Sequence, residues 1–222
     1  MAAVSAEEIL ERLATVRGRV AMVGADPDGV ELVAVTKGFS AQTVEAAVAA
    51  GLQHLGENYA AELITKAHER PELCWHFLGA LQRNKTARLA PHVSVWEAID
   101  RLPAAAMVAD RAPGAAVLVQ VNVTGDPNKR GCAPEATEAL VTKCAGLGLD
   151  VRGLMTVGPE GDREGARVCF KTLAGLARTL GLRSLSMGMS DDFDIAVGEG
   201  ATTIRLGRAL FGSRPTRAQA RR

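Results

Sequence analysis

Glu31-Leu-Val-Ala-Val-Thr-Lys37-Gly38 is a short aliphatic run that closes on an amine and then a glycine. Such a run, rich in branched residues and bounded by turn formers, predicts a buried strand, with Lys37 where that strand meets a loop. Desolvating an ammonium costs several kcal/mol, so a lysine at the rim of an apolar barrel or sheet tends toward a depressed pKa and toward nucleophilicity. A Schiff-base lysine is made in this way. The residue is equally open to a plainer reading, a strand-end lysine whose ammonium extends into water.

On either side of this run the chain alternates. Before it, Ser5-Ala-Glu-Glu8 is a capping box, and Ile9, Leu10, Leu13, Val16, Val20 and Val23 recur at helical spacing, which predicts a first helix over 5–23. Asp26-Pro-Asp-Gly29 ends that helix with turn residues. After it, strand-like runs fall at 31–37, 54–57, 75–79, 94–98, 116–123, 151–157, 184–189 and 202–206. Helical patterns between them include 41–50, 59–69, 134–145, 163–180 and 191–197. Eight βα units with no change of composition predict a single α/β domain closed as a (β/α)8 TIM barrel over about residues 5–213, near the lower size limit of that fold. An open doubly wound sheet is the alternative, but no GxGxxG turn follows the first strand. No stretch is left over for a second catalytic domain.

The composition restricts the function. The chain has 222 residues, 47% of them hydrophobic, and a net charge of +1, which gives no general electrostatic case for nucleic acid or an anionic membrane. A basic excess occurs only at 214–222, expected to be a frayed tail. Only six of the 26 basic residues are lysines, so an amine at a strand end is less of an accident here. Cys74, Cys132, Cys144 and Cys169 form no CxxC and no ladder, as expected of reduced cytoplasmic thiols, with Cys74 and Cys169 read as small core residues. There is no signal-peptide pattern and no long apolar span, so a cytoplasmic protein is expected.

In a barrel of this kind the chemistry gathers at the C-terminal ends of the strands. Those ends are Lys37, Glu57 and Asn58, His76 to Gly79, Asn122, Met155 and Thr156, Met189 and Ser190, and Arg205 to Gly207. His54, His68, His76 and His92 are scattered along the chain, so no metal site is expected. Ser190 offers a hydroxyl just before a helix, and Gly207 lets the amides of Gly207 and Arg208 approach an anion, which together suit a phosphate after the last two strands. For that, Asp191 and Asp192 must turn away; otherwise Ser190 is an ordinary helix cap. An amine that forms an imine, opposite a phosphate site, suits pyridoxal 5′-phosphate (PLP), whose aldehyde and phosphate lie on opposite sides of one ring. Arg205 would then point inward beside the ring nitrogen, to which a guanidinium gives no proton, or else form a structural ion pair.

Ala34-Val-Thr-Lys37, Gly56-Glu-Asn-Tyr59, Trp75-His-Phe-Leu-Gly79, Leu81-Gln-Arg-Asn-Lys85, Lys129-Arg-Gly131, Gly153-Leu-Met155, Met187-Gly-Met-Ser-Asp-Asp192 and Arg205-Leu-Gly207, in this order, resemble the pyridoxal phosphate homeostasis protein family. The resemblance implies a barrel of the alanine-racemase N-terminal type with PLP as an imine on Lys37. It implies that Ser190, Gly207 and Arg208 hold the phosphate, that Arg205 faces the ring, and that Asn58, His76 and Met155 line the pocket. His76 could also be a satisfied core histidine, and Asn58 a loop former. The chain departs from the family in having Gly79-Ala-Leu-Gln82 where a proline is frequent, and Arg208 where a threonine is.

The function this resemblance implies is that of a non-catalytic carrier that buffers PLP and passes it to PLP-dependent apo-enzymes, a monomer if the family is a guide. Two enzymes stand as alternatives. An amino acid racemase needs a base on each face of its substrate, and the chain has one tyrosine, Tyr59. A cofactor-free aldolase would form its imine on Lys37 directly, although aldolase lysines usually stand on a middle strand. Lys129 could receive the aldehyde during transfer, or be a solvated loop lysine.

Overall fold

The computed structural model describes residues 4–214. Eight strands, β1 (Glu31–Val35), β2 (His54–Glu57), β3 (Cys74–Phe77), β4 (Val95–Ile99), β5 (Ala116–Gln120), β6 (Asp150–Met155), β7 (Ser184–Ser186) and β8 (Thr203–Leu206), pair in parallel in sequence order. β8 closes on β1 with Val33 opposite Arg205, so the barrel has no free edge. A helix follows each strand in turn: α2 (Ala41–Ala49), α3 (Ala60–Glu69), α4 (Arg83–Leu89), α5 (Leu102–Arg111), α6 (Thr137–Gly146), α7 (Arg163–Thr179), α8 (Phe193–Gly198) and α9 (Arg208–Phe211).

The first helix, α1 (Ala6–Met22), starts at the expected capping box: the Glu8 amide donates to Ser5 Oγ and the Ser5 amide to Glu8 Oε2. It packs against α2, α8 and α9. Because α9 is a single turn, α1 fills the place that a longer eighth helix would occupy, burying Ile9, Val16 and Val20 and donating from Arg12 to the Leu210 carbonyl. Asp26 does not close α1 but caps the 3-10 turn Pro27–Gly29 that leads into β1.

The two-residue period of the strands sorts the side chains. Ala34, Leu55, Trp75, Phe77, Trp96, Val117 and Ile204 face outward into the main core between sheet and helices. Inside the barrel, Val95, Ala116, Leu118 and Met155 form a smaller apolar cluster. Much of the remaining lumen is polar: Glu97, His76, Ser186 and Arg205 are all buried. This departs from the layers of branched aliphatics usual in such barrels. All strands but β2 and β4 are shorter than the sequence patterns predict; after β7 the chain turns early at Gly188, whose φ of 93° favours glycine. Among the described residues no helix is long and apolar enough to cross a membrane.

Candidate functional site

Lys37 continues the inward side of β1. Val33 and Val35 point into the lumen, where their methyl groups lie 2.9 and 3.4 Å from the position a Cβ would take on Gly56 of the neighbouring strand. Alternation then aims Lys37 into the C-terminal mouth and Thr36 outward. Burial pushes the Lys37 amine below its ordinary pKa, Arg214 and Arg205 push it the same way, and Glu57 opposes them. Arg214 lies over Gly38, within 3.3 Å of a notional Cβ there. The rest of the basic tail, 215–222, lies outside the described residues.

The residues on both sides of Lys37 are clamped. Thr36 Oγ1 donates to Glu57 Oε1 at 2.7 Å, and the Gly38 amide donates to Glu62 Oε2 at 2.7 Å. Lys66 Nζ donates to the Thr36 carbonyl at 2.8 Å, Glu57 Oε1 at 2.6 Å and Glu62 Oε2 at 3.3 Å. Glu57 is therefore not a cavity residue as its strand-end position suggests. Its place in the alternation turns it outward between β2 and α3, where burial pushes its carboxyl up and Lys66 and Thr36 pull it back. Thr156 likewise faces away, donating to the Val121 carbonyl.

Across the mouth, Ser190 follows the Gly188 turn. A Cβ on Gly188 would lie 2.6 Å from Ala196 Cβ and 2.9 Å from Phe193 Cα, so only glycine lets α8 pack this closely under the loop. Ser190 Oγ accepts from the Ala209 amide at 3.0 Å, which leaves its own proton to donate. Among the described residues, the amides of Gly207 and Arg208 have no acceptor. Both neighbouring carboxylates turn away, Asp192 to the Met189 amide and Asp191 to the Arg208 guanidinium. The Arg208 side chain is thereby directed outward, and what it offers the mouth is its backbone.

Met155 lies on an inward position of β6, and Asn58, one residue past β2, continues the inward parity of Gly56. Met155 is buried in the lumen cluster, and Asn58 Oδ1 is buried with no hydrogen-bond partner among the described residues. Such an orphaned acceptor calls for an explanation. The end of β3 presses against Asn58 through Gly79, where a Cβ would stand 2.0 Å from the Asn58 carbonyl oxygen. Arg205 enters the lumen from β8, donating to Ser186 Oγ and the Thr156 carbonyl, each at 2.6 Å, with Glu97 at 3.9 Å. Asn122 is spent on its own loop, donating to the carbonyls of Asp126 and Lys129, while Lys129 Nζ reaches the Gly158 carbonyl at 2.7 Å.

His76 does not join this group. Its side chain leans toward the other end of the barrel: Nδ1 meets Glu97 Oε1 at 2.6 Å, and Nε2 stands 3.1 Å from His54 Nδ1 and 3.6 Å from Cys74 Sγ. Two of the histidines read as scattered are thus neighbours. The register pairs His54 with Cys74, and the strand period puts Cys74 and His76 on one side. Burial would lower the His76 pKa, but Cys74 and Glu97 raise it to about 9. Burial raises the Cys74 thiol, yet His54 and His76 bring it down to about 6, so Cys74 is no inert core residue. Cys74-x-His76 on one strand beside a histidine on the next is the signal that strand pairing would have exposed.

The description "Alanine racemase, N-terminal domain" matches residues 7–215. A Pseudomonas aeruginosa protein named "Pyridoxal phosphate homeostasis protein" is 42% identical over 219 residues, covering 94% of this chain and 95% of its own. The solved structure of PipY from Synechococcus elongatus PCC7942, with PLP bound, superposes with a TM-score of 0.80 at 34% identity, over 92% of this chain and all of that one (100%). An alanine racemase from Corynebacterium glutamicum shares the fold alone, with a TM-score of 0.72 at 15% identity over 96% of this chain and 62% of its own. An inward amine at the end of β1, open amides at the end of β8 and similarity along nearly the whole chain agree: this protein belongs to the pyridoxal phosphate homeostasis protein family.

Proposed function

We propose that this protein binds PLP in the C-terminal mouth of its barrel and holds it in the cytoplasm as a reserve for PLP-dependent apo-enzymes, as a monomer and without turning over amino acids. The observation that carries the reading is the pairing of a half-buried amine at Lys37 with a serine hydroxyl and two amides that have no acceptor among the described residues, at the ends of β7 and β8. The residues fit the cofactor. Asn58 Oδ1 is a buried acceptor without a donor among the described residues, which a hydroxyl or protonated ring substituent would supply.

When bound, PLP supplies an aldehyde that condenses reversibly with a lysine amine and releases water. Lys37, its pKa lowered by burial, would be the amine that does this. Ser190 would donate a hydrogen bond to a phosphate oxygen, and the amides of Gly207 and Arg208 would donate beside it. Met155 supplies an apolar wall. Arg205, held by Ser186 and Thr156, is a fixed positive charge beneath the mouth that gives no proton to a ring nitrogen. A racemase would need a second base opposite Lys37, and Tyr59 is 56% exposed next to the first turn of α3.

The test is borohydride reduction of the loaded protein followed by peptide mapping, which should place the pyridoxyl group on Lys37. Mixing the loaded protein with an apo-enzyme should restore activity, while a panel of L-amino acids should show no turnover above free PLP. Labelling mainly at Lys129 or Lys85, or steady turnover of one amino acid that is lost in Lys37→Ala, would overturn the reading.

A further inference from the structure

We propose that His54, Cys74 and His76 form a binding site for one zinc-type divalent cation at the N-terminal mouth of the barrel, the end opposite Lys37. The three donor atoms, one from each residue, lie within 4.8 Å of one another. Tetrahedral zinc, with bonds of about 2.0–2.1 Å to nitrogen and about 2.3 Å to sulfur, spaces its ligands about 3.4 Å apart between nitrogens and about 3.6 Å between nitrogen and sulfur. The structure has 3.1 Å between His54 Nδ1 and His76 Nε2, and 3.6 Å between Cys74 Sγ and His76 Nε2. The nitrogen–sulfur distance is already a ligand spacing, and a small side-chain movement opens the nitrogen–nitrogen contact to one.

An independent feature of the site points the same way. Histidines that bind metals commonly donate their other ring N–H to a carboxylate, which fixes the tautomer and turns the remaining lone pair to the ion. His76 Nδ1 is held 2.6 Å from Glu97, itself fully buried and fixed by Ser186 Oγ at 2.5 Å. Nε2 is thereby aimed at His54 and Cys74, and a cation that displaces its proton would meet the lone pair there. Two imidazole nitrogens 3.1 Å apart are held by a shared proton, which a cation bound there would displace.

His54 and Cys74 are only part-buried, so an ion enters from solvent without unfolding the barrel. The fourth position is left to water at this mouth, with the Glu31 carboxylate, 3.3 Å from His54 Nδ1, adding negative charge beside it. One thiolate with two imidazoles selects zinc over magnesium or calcium, which take oxygen ligands.

The experiment uses the full chain with its cofactor in place, freed of metal by chelator dialysis and then titrated with Zn2+ against a chromophoric chelator. One ion per chain is expected, and equal Mg2+ should not compete. In difference spectra, Co2+ should give a near-ultraviolet thiolate charge-transfer band and tetrahedral visible bands. Cys74→Ser should abolish the charge-transfer band. His54→Ala, at the exposed rim and checked for folding by circular dichroism, should weaken Zn2+ binding by more than the ~10–100-fold that loss of an outer partner costs. Absence of Zn2+ uptake by the parent chain would overturn the site. So would one ion per chain bound with unchanged affinity by both variants, or alkylation of Cys74 that is unaffected by Zn2+.

Discussion

Replacing Lys66 by Met tests how the amine at position 37 is mounted. Lys66 and Glu57 are 5% and 0% exposed and meet at 2.6 Å, and the same Nζ also holds the Thr36 carbonyl. At an effective dielectric constant near 20, a pair this close attracts by about 6 kcal/mol before desolvation. Desolvation consumes most of that gain, but removing one partner leaves the other charge buried, at a cost of about 3–5 kcal/mol. Glu57 can limit the damage by taking up a proton, since burial already pushes its carboxyl above the ordinary value. In the variant the folded state then keeps that proton where the unfolded chain has lost it. The deficit is accordingly smallest below the usual carboxylate pKa and grows as pH rises through the raised one.

Urea unfolding without cofactor, followed by fluorescence of the buried Trp75 and Trp96, reads this directly. Lys66→Met should lose about 3–5 kcal/mol at pH 8 and distinctly less at pH 5, and Lys66→Met with Glu57→Leu should recover most of the loss. PLP uptake by the single variant should fall as well, because the Thr36 end of the lysine loop is released. A loss below about 1 kcal/mol at pH 8, or a deficit independent of pH, would refute the idea that a buried charge pair holds this loop.

Ser190→Ala should weaken PLP binding by about 1–3 kcal/mol, one hydrogen bond to a charged group, and should leave binding of unphosphorylated pyridoxal unchanged in equilibrium dialysis. Gly79→Ala should lower PLP affinity and stability together, because its methyl would stand 2.0 Å from the Asn58 carbonyl oxygen; thermal melts and PLP absorbance titrations check this. Arg214→Ala should shift the pH profile of PLP uptake upward. Arg214 lowers the Lys37 pKa, and it is the neutral amine that attacks, so a higher pKa delays its appearance to higher pH in stopped-flow absorbance.

The barrel was legible because eight strand-like runs alternate with helical ones, and because inside and outside of a strand differ by one residue. The alternation that points Lys37 into the barrel mouth is already present in the apolar run. Glu57 could not, since its strand-end position suggested the cavity while its parity turned it to Lys66, nine residues further on in α3. His76 went astray for a related reason: strand position fixes the Cα, whereas the lean of the ring is set by partners on β2 and β4. α4, α5 and α9 were not among the named helical patterns; α4 and α9 are brief, and Pro103 stands in the first turn of α5. The His54, Cys74 and His76 group needed the β2–β3 register, a long-range quantity that local periodicity does not contain.

The polar thread through the lumen, His76 to Glu97 to Ser186 to Arg205, bears on how this scaffold can be altered. In many barrels the lower half is treated as inert support and the upper half as the replaceable part. Here Glu97, wholly shielded, is at once a partner of a ring near the bottom opening and, through one hydroxyl, of the guanidinium under the top one. An engineer who swaps the loops above leaves that guanidinium's charge balance in place, but one who fills the lumen below with leucine strands it. The two openings of this barrel therefore have to be redesigned together.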